Sequence, residues 1–418
     1  MKEVLDAQGE SDFMVDTYVP ADAFRPCLRY IGDEVHGERI NIPEGLIDGL
    51  GMFDGYGRRD GHTPLKTPPK LPNSLKYCAC MFAGCEDLQY APIIPEGVED
   101  CLGMFHGCRR LESAPVIPKG VKDCSHMFSY CDALKSAPII PDGVKDCSHM
   151  FDDCRTLESA SNIPKGVKDC SNMFYSCSAL TSAPVIEEGV KDCSNMFHGC
   201  RALKSVPVIP NGVENCSSMF DDCRALESAS NIPKGVKDCS NMFRSCSALE
   251  SAPVIPDSVK NCSNMFSGCR ALKSAPVIPN GVENCYSMFY GCESLELAPV
   301  IPNSVKDCTC MFAQCYVLES APTIPEGAKD SHVFFDCKKL SAEDQHRGTA
   351  PWRQQKQEAV NRAKASQDKS AMDKMTDYMA SHNYGIDDRH IYENDPEWQE
   401  LNDMLKQEAE VNSGDLGE

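Results

Sequence analysis

The sequence predicts an α/β repeat fold, a curved solenoid in which helix–strand units of 23 residues stack in a row. Two observations support this prediction. Cysteines recur every 23 residues from Cys78 to Cys308, and a second cysteine follows seven residues behind each of them, ending at Cys315. A Met-Phe pair stands at the same place in every unit, as in Met196-Phe197. A fixed period of this length is typical of solenoids.

The unit is numbered here from its first cysteine as position 1, and it follows the pattern C-S-N-M-F-x-G-C-x-A-L-K-S-A-P-V-I-P-x-G-V-K-D. Eleven units run without gaps from 78 to 330. Positions 1, 4, 5 and 8 have the i, i+3, i+4, i+7 spacing of one helix face. This spacing predicts a helix of about two turns, capped at its start by the position-23 side chain, for example Asp192. Because units stack on their neighbours, Phe197 is expected to lie between Phe174 and Phe220.

Positions 11 to 17 have the spacing of a short strand, and the Pro-x-Gly that follows favours a turn. Strands of adjacent units would pair in parallel about 4.8 Å apart. Proline at position 15, as in Pro184 and Pro207, cannot donate to a sheet, so the predicted parallel sheet is only two to four residues wide. Helices pack about 8–10 Å apart, and this wider side would bend the array into an arc.

Degenerate copies of the unit flank the regular array, which gives three predicted regions. Residues 1–34 form an N-terminal cap segment, and 35–340 form the solenoid with its regular units at 78–330. Residues 341–418 form an acidic tail that is helical or partly disordered, with a predicted helix from Pro396 to Glu410. Trp398 lies on the apolar face of that helix.

The cysteines are predicted to be buried structural thiols, because they lie on the inner face of the unit. Zinc is disfavoured, since structural sites use C-x₂₋₄-C whereas the unit has C-x₆-C. Disulfides remain an alternative that requires Cα atoms within about 7 Å. The additional cysteines at position 3, Cys80 and Cys310, are expected to face outward. Asn215 and Asn261 match the glycosylation sequon, but capping is favoured for both because they precede the predicted helix.

Charge and motifs narrow the function classes. The chain has 418 residues and a formal net charge of −21, which argues against nucleic-acid binding. No apolar run approaches the ~20 residues of a membrane span. The first residues lack the basic start and apolar core of a signal peptide, so a cytoplasmic protein is expected, with export by another route or a cell-surface location as the alternative. No nucleophile–base set or phosphate loop was found, so no cofactor and no enzyme activity are predicted. Activity housed in the tail remains an alternative.

One segment carries a family resemblance. Residues 264–282, N-M-F-S-G-C-R-A-L-K-S-A-P-V-I-P-N-G-V, resemble the 23-residue leucine-rich repeat of BspA-like bacterial surface proteins. The matching residues are Phe266, Cys269, Leu272, Ile278-Pro279 and Val282. The resemblance implies a curved leucine-rich-repeat solenoid, and roles in adhesion and protein binding. Proteins of this family are typically exported.

We therefore expect a monomeric, non-enzymatic scaffold for protein–protein interaction, which inserts into no membrane and binds a protein partner of unknown identity. A cell-surface adhesin or secreted effector of BspA-like type is the alternative. The candidate protein-binding surface is position 12, where the charge changes sign along the array. Its residues are Glu112, Lys135, Glu158, Lys204, Glu227, Glu250, Lys273 and Glu296. No catalytic, cofactor-binding or metal-binding residue is predicted.

Overall fold

The strands among the described residues are short and lie before the regular array. The computed structural model describes residues 13–14, 35–36, 40–42, 44–55, 65–341, 378 and 398–404, so most of the predicted cap segment and tail lies outside the described residues. Strands β1 and β3 pair in parallel, as do β2 and β4. Their bounds are Phe13–Met14 for β1, Val35–His36 for β2, Ile40–Asn41 for β3 and Leu65–Thr67 for β4.

The chain divides into two compact units, residues 1–346 and 347–418. In the second unit, residues 398–404 form helix α1. The ring centroids of Tyr378 and Trp398 lie 6.1 Å apart, and Leu401 is buried. Among the described residues, no helix has both the length and the apolarity needed to cross a bilayer.

Each 23-residue unit, termed a rung and named by its position-1 cysteine, begins with β-turns where a helix was predicted. In the Cys193 rung, the amides of Met196, His198 and Cys200 each donate to the carbonyl three residues earlier, over 3.0–3.2 Å. Such i to i+3 bonds close β-turns, whereas a helix would need i to i+4 bonds. The prediction of a two-turn helix is therefore wrong.

The physical reason lies at positions 3 and 7, where the backbone is left-handed. Asn195 has a φ of 53° and Gly199 a φ of 73°. A right-handed helix cannot pass through such residues, and Gly and Asn are the types that tolerate them best. The turns send alternate amides towards the next rung: Asn195 donates to the Ser217 carbonyl and Phe197 to the Met219 carbonyl, both over 2.9 Å.

The position-23 side chain caps the first turn rather than a helix. Asp192 Oδ1 accepts a 2.8 Å hydrogen bond from the Ser194 amide, two residues on. Asn215 and Asn261 do the same, over 3.0 and 3.1 Å, so both side chains cap the local backbone, although they cap a turn and not the predicted helix. This short loop is an Asx turn, which Asp and Asn favour.

The predicted parallel sheet is reduced to two rows of isolated parallel bridges. One row joins position 13 of adjacent rungs, as in Ser205 with Ser228 and Ser228 with Ser251. The other joins position 23, as in Asp192 with Asn215, and was not predicted. Proline at position 15 lacks the amide needed to extend the first row, which accounts for its width of one residue.

Phenylalanine at position 5 forms a continuous ladder through the core. Thirteen rings, from Phe53 to Phe334, stack with centroids 5.2–5.9 Å apart. Phe197 lies 5.5 Å from Phe174 and 5.6 Å from Phe220, so the predicted stack is confirmed. This spacing is close to the ~4.8 Å between paired strands. The wide helical side that was expected to bend the array is therefore absent from the described rungs.

The cysteines at positions 1 and 8 are buried thiols, as predicted. The position-8 thiol has a further role that the sequence did not indicate. Cys200 Sγ donates to the Phe174 carbonyl of the preceding rung over 3.1 Å, and the same contact recurs through the array. Of the two position-3 cysteines, Cys80 is half-buried, but Cys310 is only 3% exposed, so the outward orientation predicted for Cys310 is wrong.

Substitution of Asn195 distinguishes the observed turn from the predicted helix, because the free energy of unfolding should change in opposite directions in the two cases. In a helix, Asn195→Ala would stabilise, because Ala has the higher helix propensity. At a left-handed residue the same change should destabilise by about 1 kcal/mol, whereas Asn195→Gly should cost little. Chemical denaturation of the full chain measures both. A more stable Ala variant would contradict the turn.

Removal of one ring from the ladder should destabilise the array. Phe197→Ala deletes a fully buried ring and should cost roughly 3–5 kcal/mol in the free energy of unfolding. Phe335→Ala is the control, because that ring is 42% exposed. Thermal melts compare the two, and equal losses would mean that the ladder contributes little.

Candidate protein-binding surface

The eight predicted position-12 residues are all exposed and form one row. Backbone hydrogen bonds join this position between adjacent rungs, because the Glu158 amide donates to the Lys135 carbonyl over 2.9 Å. The Glu227 amide likewise donates to the Lys204 carbonyl over 3.4 Å. The array therefore displays these charges from a backbone joined between rungs, at the same position of each rung that carries one.

Charges within this row interact little with one another. Lys273 Nζ lies 3.3 Å from Glu250 Oε2, and both side chains are well exposed. The other six residues of the row form no ion pair with another described residue. Exposed pairs are worth about 0–1 kcal/mol, so the single pair adds little to stability. The row is accordingly available to a binding partner.

An apolar stripe at position 16 runs beside the row, and sequence reasoning missed it. Eight β-branched side chains of this stripe are 55–91% exposed: Ile93, Val116, Ile139, Val185, Val208, Val254, Val277 and Val300. Isoleucine at position 17 faces the core instead, as Ile209 does. Consecutive apolar residues on an extended segment were the available signal, because neighbouring side chains point to opposite faces. Polar residues interrupt the stripe at Asn162, Asn231 and Thr323.

A second set of charges borders the stripe at position 19. Lys119, Asp142 and Lys165 are exposed examples. The exposed surface of most rungs thus carries a charge at position 12, a β-branched side chain at position 16 and a polar or charged side chain at position 19. Apolar surface rimmed by polar residues is typical of protein-interaction sites.

One groove indents this face between the Cys216 and Cys239 rungs. It encloses about 580 Å³ and is lined by residues that include Asn231, Lys234, Val254 and Asp257. Its lining holds no cysteine or histidine. The groove provides a concave surface to which a partner could bind.

A polar cluster lies at position 6 on another side of the rungs. The Tyr175 and His198 rings stack at 4.5 Å, and Arg244 Nε lies 3.1 Å from Asp221 Oδ2. Burial lowers the pKa of His198. Burial also raises the pKa of Asp221, and the positive charge of the nearby Arg244 opposes that increase. Arg244 and Asp221 sit on adjacent rungs, so this contact joins two rungs. In the part of the chain that the structure describes, no group of three or more His, Cys, Asp or Glu residues could hold a metal ion.

The buried thiols are poor nucleophiles. Burial raises the pKa of Cys216 and of Cys262 to about 12. A thiolate is the reactive form of cysteine, and these thiols remain protonated at neutral pH. Their chemistry is therefore structural.

Comparison with known proteins gives the family. The BspA type leucine-rich repeat region matches residues 67–181, 102–227, 168–296 and 216–341, with six copies of the repeat. The overlapping matches span 67–341, which is more than half of the chain. The chain belongs to the BspA-type leucine-rich-repeat family. A comparison with curated proteins found no match.

The chain is also similar, at low sequence identity, to several solved structures. A leucine-rich-repeat protein from Bacteroides ovatus is 22% identical, with a TM-score of 0.44 over 64% of this chain and 73% of that one. A leucine-rich cell surface protein from Faecalibacterium prausnitzii is 22% identical, with a TM-score of 0.42 over 69% and 87%. The pneumococcal vaccine antigen PcpA is 17% identical, with a TM-score of 0.41 over 72% and 76%.

Stability should decrease at high pH because of the thiols. Unfolded thiols ionise near pH 9, whereas Cys216 and Cys262 remain protonated until about pH 12 in the fold. Their raised pKa stabilises the fold below pH 9, and this contribution is lost as the pH rises from 9 to 12. The free energy of unfolding should fall by up to about 1.4 kcal/mol per pH unit for each such thiol.

Denaturant titrations between pH 7 and pH 10.5 measure this slope. Tyrosine and lysine also ionise in that range, so the matched comparison is the double variant Cys216→Ala with Cys262→Ala. Its slope should be shallower than that of the parent chain. An unchanged slope would show that these thiols do not contribute.

Proposed function

We propose that this chain is a non-enzymatic scaffold that binds a protein partner through the position-12 row. The observation that supports this most directly is the row itself, eight exposed charges at one position of the repeat, several of them joined to the next rung by backbone hydrogen bonds. Each repeat contributes one side chain, so the surface is long and its chemistry is set rung by rung. A partner of complementary charge pattern would be selected along it.

The sign changes give the row its specificity. Lys204, Glu227, Glu250 and Lys273 follow each other as one positive, two negative and one positive charge. Like charges brought together across an interface cost several kcal/mol, so a partner with the wrong order is rejected. The position-16 stripe beside the row supplies the apolar contact that charge alone does not provide.

A non-enzymatic role is supported by the state of the thiols in the array. They are buried and protonated, and so cannot attack a substrate. The groove beside Asn231 lacks a cysteine or histidine. An activity in the tail would be independent of the row and would survive its mutation.

A cell-surface adhesin or secreted effector is the second candidate, favoured by membership of the BspA-type family. It uses the same surface on a different partner and in a different compartment. Immunodetection of the native protein in cytoplasmic, surface and medium fractions of its source cells separates the two. Protein confined to the cytoplasm would contradict the adhesin.

Charge reversal in the row should release the partner. The full chain, immobilised, is used to capture proteins from its source cells, and the variant Lys204→Glu with Lys273→Glu is compared. A protein bound through the row should be retained at least tenfold less by this variant. The matched control is Lys237→Glu with Lys260→Glu, which makes the same charge change at exposed position-22 residues.

A specific partner is one that the parent chain and the control retain but the row variant loses. If every captured protein binds the row variant as well as the parent, the position-12 row is not the binding surface.

A further inference from the structure

Three adjacent rungs carry a checkerboard of exposed charges. The Cys101 rung has Glu112 and Lys119 at positions 12 and 19, the Cys124 rung has Lys135 and Asp142, and the Cys147 rung has Glu158 and Lys165. All six side chains are exposed. None forms an ion pair with another described residue, although most arginines of the array do, for example Arg110 with Asp87. The six charges therefore remain available to an outside partner.

Two of these rungs, Cys101 and Cys124, together with the Cys78 rung before them, carry the most exposed part of the apolar stripe. Ile93, Val116 and Ile139 are 91%, 85% and 82% exposed, and Asn162 ends this run. Exposed β-branched side chains on consecutive rungs form one contiguous apolar strip. These three residues together with the six charges are termed the checkerboard patch.

The other end of the array provides a contrast. Val254, Val277 and Val300 form an equally apolar run. Its margins differ, because Lys273 is already paired with Glu250, and position 19 carries the uncharged Asn280 beside Val277. Both runs are apolar and exposed, but only the first is bordered by unpaired charges that alternate in sign. A difference in binding between the two runs would therefore be due to the charges.

The checkerboard patch is complementary to itself. Charge alternates along each margin and also across each rung. If two copies face each other with their rungs running in the same direction, the position-12 margin of one meets the position-19 margin of the other. Each rung then faces the same rung of the other copy. Glu112 of one copy meets Lys119 of the other, and Lys135 meets Asp142, so the paired charges always have opposite sign. If the copies run in opposite directions about the gap between the Cys101 and Cys124 rungs, Glu112 meets Lys135 instead, again with opposite sign.

We propose that the checkerboard patch binds a second copy of this chain. A second copy is the one partner whose charges must match this pattern, since it carries the pattern itself. Burial of Ile93, Val116 and Ile139 against their counterparts supplies the apolar core of the interface, and the margins set the register. This inference goes beyond the proposed scaffold function and replaces the monomer expected from the sequence.

The size of the patch indicates a weak, reversible dimer. Seven residues of extended chain between the margins give a width of about 23 Å. Four rungs at the observed ring spacing give a length of about 22 Å, hence on the order of 500 Å² per copy, below the ~800 Å² per partner of standard interfaces. A dissociation constant in the micromolar range is expected, and the affinity should decrease further with salt.

Sedimentation of the full chain under reducing conditions, from about 1 to 300 µM, measures the association. The parent chain should shift from monomer to dimer across this range. Val116→Lys places a charge in the centre of the patch and should move the midpoint at least tenfold higher. Val277→Lys is the matched control, at the same position of the unit and with 84% exposure, and it should leave the midpoint unchanged. Thermal melts verify that both variants are folded.

A second variant tests the charges. Lys135→Glu makes the position-12 margin uniformly acidic, and it brings like charges together in either arrangement of the two copies. It should weaken the dimer at low salt, with a smaller effect at 0.5 M salt.

Three results would overturn the proposal. These are a monomer at every concentration, an equal loss with Val116→Lys and Val277→Lys, and a dimer indifferent to Lys135→Glu at low salt. Capture of a different protein through the patch by a chain that stays monomeric would assign the patch to that protein instead. The scaffold proposal is tested separately by Lys204 and Lys273, which lie outside the patch.

Discussion

The structure depends on one constraint, the left-handed backbone at positions 3 and 7 of every rung. These two residues turn the chain so that alternate amides, such as those of Asn195 and Phe197, point out of their own rung and reach carbonyls of the next. A helix would satisfy the same amides within the unit and leave nothing to join neighbours. Because these amides hydrogen-bond to the next rung, each rung is held in place by its neighbours. The position-12 charges therefore follow one another at the spacing of the rungs.

The core follows from that spacing. Rings at position 5 repeat at 5.2–5.9 Å because the backbone does, which is a distance at which parallel offset rings remain in contact. The position-8 thiol fits the remaining gap and donates to a phenylalanine carbonyl, as Cys200 does to Phe174. Cysteine is small, apolar and a weak donor, so it meets both requirements where a larger side chain would not fit. The thiols are thus explained by packing, and their number by the number of rungs.

Much of the fold could be predicted from the 23-residue period, including the neighbours of Phe197 and the burial of the thiols. The local conformation could not, because positions 1, 4, 5 and 8 face inward both on a helix and in a run of tight turns. Gly199 and Asn195 were the informative residues, since their types favour left-handed backbone. For the candidate site, the sequence identified the position-12 charges but missed the exposure of residues such as Val116. In an extended segment, only one of two adjacent apolar side chains is buried in the core. The sequence alone does not show which of the two it is.

The hydrogen bonds between rungs also determine how the array would respond to a pulling force. They join rung to rung, so tension applied along the stacking direction loads every set of bonds with the same force. The weakest interface, rather than the average one, would then yield first, and each rung that opens would release 23 residues, about 75 Å of extended chain. An array that opens in this way lengthens in discrete steps.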